Sequence, residues 1–136
     1  MNLYSLGSTF TWLLGPWESR LKCFVGNCCM PTYEALHAHH ILHSFSNFIP
    51  GIFQFGDTAD VAALTAPRPL HLNFGAKDLT NPIEFIKPGL ARIRNAYEGC
   101  GVVSNFSYFI DEVVGHTLSP KMWEHVLSVL RRYLLT

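Results

Sequence analysis

Apolar positions along the chain fall into two rhythms, one of three and four residues and one of short continuous runs. Phe10, Leu13, Leu14 and Trp17 predict a helix that opens after Tyr4-Ser5-Leu6-Gly7-Ser8 and closes at Gly15-Pro16. Leu21 to Cys29 is compact and apolar and predicts a buried strand. Residues 30–50 are rich in His, Ser and Phe without alternation, and read as helix and loop lying over one end of a sheet, in the position of a cap. Asp57-Thr58 can cap a short helix through Leu64. Pro67 and Pro69 forbid helix and favour extended neighbours, so Leu70 to Phe74 is a second strand, ended by Gly75. Ile83, Ile86, Leu90, Ile93 and Tyr97 share a helix face entered at the Asn81-Pro82 cap, with a kink or a late start at Pro88. Asn105 to Ile110 is a third strand, and Ser119-Pro120 opens a terminal helix with the stripe Trp123, Val126, Leu127, Leu130, Leu134.

Strands that alternate with helices predict an α/β fold: a short parallel sheet of about three strands, near 21–27, 70–75 and 106–110, with right-handed crossovers. The 136 residues suffice for one domain. It divides into residues 1–29 (turn, helix and strand), 30–65 (the cap-like segment) and 66–136 (two strands and two helices). Ten basic and ten acidic residues without runs of one sign favour neither nucleic acid nor an anionic membrane as partner. Cys23, Cys28, Cys29 and Cys100 have no disulfide-scaffold spacing and read as reduced thiols in a cytoplasmic setting, and no basic stretch opens the chain as a signal peptide would.

Chemistry collects at the carboxyl ends of parallel strands. Ser5, Asp78 and His116 fall at such ends, and serine, acid, histidine is the chain order of α/β-hydrolases. A serine hydroxyl is a weak nucleophile and needs a base. Histidine accepts and returns its proton near neutrality, and a carboxylate fixes the imidazole tautomer.

The run from Asn47 to Leu70, with Asp60-Val-Ala-Ala-Leu-Thr-Ala-Pro-Arg-Pro-Leu, followed by Gly75-Ala-Lys-Asp78 and Gly115-His116, resembles α/β-hydrolases of the dienelactone-hydrolase and acetyl-xylan-esterase type. Tyr4-Ser5-Leu6-Gly7 resembles their nucleophile elbow. The resemblance covers almost the whole chain. It implies Ser5 as nucleophile, Asp78 as triad acid, His116 as base and the Leu6 backbone N–H as an oxyanion donor, with no cofactor and a small ester as substrate. Leu3 and Ser8 depart from the elbow's glycines, and a leucine there is expected to distort a strained turn. In such hydrolases roughly the first half of the sheet and a second oxyanion donor precede the nucleophile. By that resemblance the chain is a carboxyl-terminal half-domain, with weak or no esterase activity by itself. The open edge of the 21–29 strand is expected to drive self-association.

Two other readings stay open: a non-catalytic remnant of the same fold, and a metal-binding module using His39 or His40 with His43. Against the second, Glu34 is the one nearby carboxylate and the cysteines are distant in sequence, so a tight metal site is not expected. Arg68 is expected to pair with Asp57 or Asp60, and Trp12, Trp17 and Trp123 to pack in the core or at crossovers.

Overall fold

The computed structural model describes residues 1–41 and 43–135. In chain order the elements are β1 (Asn2–Tyr4), α1 (Leu6–Leu14), β2 (Phe24–Asn27), α2 (Tyr33–His39), α3 (Thr58–Ala63), β3 (Leu70–Gly75), α4 (Ile83–Gly99), β4 (Phe106–Asp111) and α5 (Pro120–Leu134). Short 3₁₀ turns at Phe45–Asn47 and Ile52–Gln54 fill the cap-like segment. The strands lie in the order β1-β2-β3-β4 and every pair is parallel. The sheet therefore has four strands rather than about three. The added one, β1, sets Asn2, Leu3 and Tyr4 beside Val25, Gly26 and Asn27, so the open edge belongs to β1 and not to the 21–29 segment.

Alternation along the strands sorts side chains into two layers. Phe24, Leu70, Leu72, Phe74 and Phe106 face a core closed by Trp12 of α1 and by Ile86, Leu90, Ile93 and Tyr97 of α4. Cys23 and Val25 face α5 through Val126. The sequence marked Leu70–Phe74 as an apolar run, yet its intervening residues carry a buried polar ladder. Asn73 donates to Asn27 Oδ1 (2.8 Å), and His71 bridges Asn73 Oδ1 (3.0 Å) and Ser107 Oγ (2.8 Å). Burial pushes the His71 imidazole down to about 4, with His125 stacked beside it acting the same way.

A histidine held below its ordinary range stays neutral in the fold and takes up a proton when the chain unfolds. Stability is therefore fully present above the unfolded value, near 6.5, and drains away as pH falls toward 4. Urea unfolding midpoints are expected to drop across that interval, and His71→Asn to flatten the drop.

Several local expectations are corrected. Helix α4 starts at Ile83 and runs through Pro88, so there is no late start. Gly89 permits this stretch to approach α3, since a Cβ there would stand 2.9 Å from Ala59 Cβ. Pro82 rather than Asn81 holds the cap position. Asp57 and Asp60 form a capping box on α3, and Asp60 pairs with Arg92. Arg68 bonds neither of them: its guanidinium donates to the carbonyls of Gly15 and Glu18 and lies over the Phe24 ring. It ties the end of α1 to the start of β3, because carbonyls left bare at a helix end are the nearest strong acceptors. Trp12 is fully buried, whereas Trp17 is 80% exposed and Trp123 43%.

Candidate functional site

Because every strand is parallel, the segments that follow β1, β2, β3 and β4 emerge at one edge of the sheet. Ser5 follows β1 directly, with φ 52° and ψ −127°, and α1 begins at the next residue. That left-handed backbone is strained for a residue with a Cβ. It turns the chain sharply between strand and helix and leaves the Leu6 N–H as a first-turn amide without an intrahelical acceptor. The elbow forms despite Leu3: a Cβ at Gly7 would lie 3.5 Å from Leu3 Cβ, an ordinary contact distance, so the leucine does not crowd the turn there. Relieving the turn is expected to stabilise the fold. Ser5→Gly is expected to be more stable than Ser5→Ala by about 1 kcal/mol in thermal or urea unfolding.

Ser5, His116 and Asp78 come together in one hydrogen-bonded line. Ser5 Oγ lies 2.7 Å from His116 Nε2, and His116 Nδ1 lies 2.7 Å from Asp78 Oδ2. An ionised carboxylate only accepts, so Nδ1 carries the proton and Nε2 presents a lone pair to the serine hydroxyl. The Asp78 side chain is 1% exposed and that of His116 32%, so the acid is enclosed while the imidazole reaches solvent. Burial alone would push the Asp78 carboxyl up. The Thr80 hydroxyl, the His116 ring and the Thr80 amide together outweigh it and hold the group below its ordinary value.

Sequence reasoning missed the residues that build this environment. Thr80 donates to Asp78 Oδ1 through its amide (2.9 Å) and hydroxyl (2.7 Å), and Asn81 Nδ2 donates to Oδ2 (3.2 Å). The Asn81 Oδ1 that a cap would use accepts instead from the Met30 amide (3.3 Å). An Asp followed two residues later by a hydrogen-bonding amide is an Asx-turn pattern, and that signal was present in Asp78-Leu79-Thr80. The Tyr4 hydroxyl donates to the His116 carbonyl (2.9 Å) and the Cys28 thiol to the Thr117 carbonyl (3.2 Å). Burial, reinforced by Asp78, pushes that thiol up to about 12, so it remains a donor at neutral pH rather than a thiolate.

The histidine loop is fastened at both ends. Asp111 accepts from Ser119 Oγ (2.7 Å), which in turn accepts from the Met122 amide at the start of α5. The loop crosses the end of β3, where Ala76 and Lys77 donate to the carbonyls of Asp111 and Val114. The candidate metal ligands part company. His39 lies on α2 with its ring edge-on to Phe85, His40 leaves the helix in the left-handed region, and both ring nitrogens of His43 are engaged by protein groups. Among the described residues no group of three or more His, Cys, Asp or Glu is arranged to hold a metal ion. Cavities of about 450 Å³ beside His37, Phe53 and Arg92 and about 300 Å³ beside His71 and His125 are lined by residues other than Ser5, Asp78 and His116.

The parallel sheet with its helical crossovers has the fold of α/β-hydrolases, present here over a portion of that fold. Solved structures agree. The glucuronoyl esterase catalytic domain from Hypocrea jecorina is 14% identical with a TM-score of 0.75, over 97% of this chain and 43% of that one. A carbohydrate esterase family 15 glucuronoyl esterase from Caldicellulosiruptor kristjansonii is 14% identical with a TM-score of 0.71, over 97% of this chain and 42% of its own. A protein described as a dienelactone hydrolase, from Klebsiella pneumoniae, is 16% identical with a TM-score of 0.58, over 96% and 50%. The chain thus spans about half or less of the length of these structures. No protein-family model and no curated protein sequence matches it significantly.

Proposed function

We propose that the chain carries the catalytic groups of a carboxylic-ester hydrolase, with Ser5 as nucleophile, His116 as general base and acid, and Asp78 as the orienting carboxylate. The observation that carries this reading is the unbroken line from Ser5 Oγ through His116 to Asp78, with the imidazole in the tautomer a base requires. That structural neighbours are esterases by name supports it. Ser5 Oγ attacks the ester carbonyl while His116 Nε2 takes its proton, and the Leu6 N–H stabilises the oxyanion. Collapse expels the alcohol, which receives the proton from His116. Water, deprotonated in turn by His116, then attacks the acyl-serine and releases the carboxylic acid. Leu6 and Leu79, both exposed and next in sequence to Ser5 and Asp78, favour an uncharged substrate at the mouth.

The second reading, a non-catalytic unit of the same fold, is favoured by the oxyanion pocket. The fold's second donor comes from a loop before the nucleophile strand, and the chain spans 42–43% of the glucuronoyl esterase structures it matches. Activity of the 136-residue chain alone is accordingly expected to be weak. Hydrolysis of a short-chain p-nitrophenyl ester by the purified chain, beside Ser5→Ala and His116→Ala, decides between them. Slow turnover lost in both variants supports the hydrolase; residual turnover indifferent to both, or none in the folded parent, supports the second reading.

A further inference from the structure

The acid loop is gripped from outside as well as from within. While the amide and hydroxyl of Thr80 serve Asp78, its carbonyl oxygen lies 3.1 Å from His43 Nε2. A carbonyl only accepts, so Nε2 carries the proton and Nδ1 is a lone pair. Asn47 Nδ2 donates to that lone pair (2.8 Å), which leaves Asn47 Oδ1 to accept from Thr9 Oγ1 (2.7 Å). Thr9 and Asn47 are fully buried, and Thr9 lies one turn along α1 from Ser5. Ser5, His116, Asp78, Thr80, His43, Asn47 and Thr9 thus close a ring of contacts through α1.

We propose that His43 is a positioning residue for the site: as the Nε2–H tautomer it ties the acid loop, through Asn47 and Thr9, to the helix that presents Ser5. The inference rests on the hydrolase reading above for its catalytic meaning. Two features assign the task to hydrogen bonds rather than to packing. Leu79, at the tip of the acid loop, is 86% exposed, so the loop has no apolar anchor there. The cap-like segment meets the loop through a rigid ring offering one donor and one acceptor in fixed opposition. Glutamine can reproduce the Nε2 donor and asparagine the Nδ1 acceptor, but neither reproduces both.

The test is NMR on the whole chain, comparing it with His43→Leu, His43→Gln and Thr9→Val. Ring nitrogen shifts of His43 are expected to report the Nε2–H tautomer. Exchange with water of the His116 Nδ1 proton, the one shared with Asp78, is expected to be about threefold to tenfold faster in His43→Leu, the equivalent of one hydrogen bond. His43→Gln is expected to restore part of that protection, and Thr9→Val to lose part of it from the far end. An Nδ1–H tautomer at His43, or unchanged exchange in a folded His43→Leu chain, overturns the proposal. If the leucine variant does not fold, His43→Gln and Thr9→Val carry the comparison, and unchanged exchange in both overturns it equally. Ester turnover is read separately and is expected to lose kcat, not KM, in the same order. A parent chain without turnover defeats the hydrolase reading while the exchange data still decide whether His43 positions the loop. Ser5-dependent turnover with exchange indifferent to His43 defeats the positioning and leaves the hydrolase.

Discussion

Asp78→Asn is expected to lower kcat/KM for ester hydrolysis by about 10⁴-fold while the chain stays folded. Four donors converge on this carboxylate: the Thr80 amide and hydroxyl on Oδ1, His116 Nδ1 and Asn81 Nδ2 on Oδ2. Asparagine has one oxygen to offer. If that oxygen stays with Thr80, an NH₂ group faces His116, and the imidazole must accept at Nδ1 and carry its proton at Nε2. It then donates to Ser5 and can no longer serve as its base. Ester kinetics beside circular dichroism check this, and a loss within tenfold would remove Asp78 from its proposed role.

Gly75→Ala is expected to destabilise the fold by about 3 kcal/mol, as overpacking in a closed site does, and to lower Tm by roughly 10 °C. The residue is the buried end of β3 and has no need of glycine's backbone freedom; what it lacks is space. A Cβ there would stand 2.6 Å from the Val114 carbonyl oxygen and closer still to that of Gly115, both backbone atoms of the loop that carries His116. That loop would have to lift, stretching the bonds from Ala76 and Lys77 and carrying His116 away from Asp78 and Ser5. A displacement of about 1 Å can cost on the order of a hundredfold in rate, so activity is expected to fall further than stability alone explains. Gly99→Ala is the control, since nothing lies within 4 Å of a Cβ at that helical position. It is expected to hold or raise Tm.

The positions that meet at the sheet edge were legible because they are punctuated locally. Prolines and glycines bracket β3, a serine with proline opens α5, and each candidate side chain follows a strand by a few residues. The partners were not legible, because a hydrogen-bonding side chain serves whichever acceptor folding brings near. Arg68 finds the bare carbonyls at the end of α1 rather than an acid, and Asn81 finds Asp78 rather than its own helix. Glycine spacing suggested distortion at Leu3, but the turn forms with Leu3 at ordinary contact distance from Gly7. β1 was hard to read because three residues are too few to show alternation. Its pairing with β2 depends on a partner more than twenty residues along the chain.

The shortness of β1 bears on the timing of events at the site. β3 has six buried residues and neighbours on both sides, whereas β1 has three residues and a neighbour on one. Its attachment rests on a few bonds, among them Ser5 N–H to the Asn27 carbonyl and Val25 N–H to that of Met1. Segments held so lightly open far more often than the body of a domain. Ser5 is therefore expected to open more often than Asp78 and His116, and fraying of β1 would displace the proposed nucleophile while the proposed acid–base pair stays in place. If the site is catalytic, that local equilibrium would set its working lifetime, and a strand that paired with the free side of β1 would prolong it by mass action.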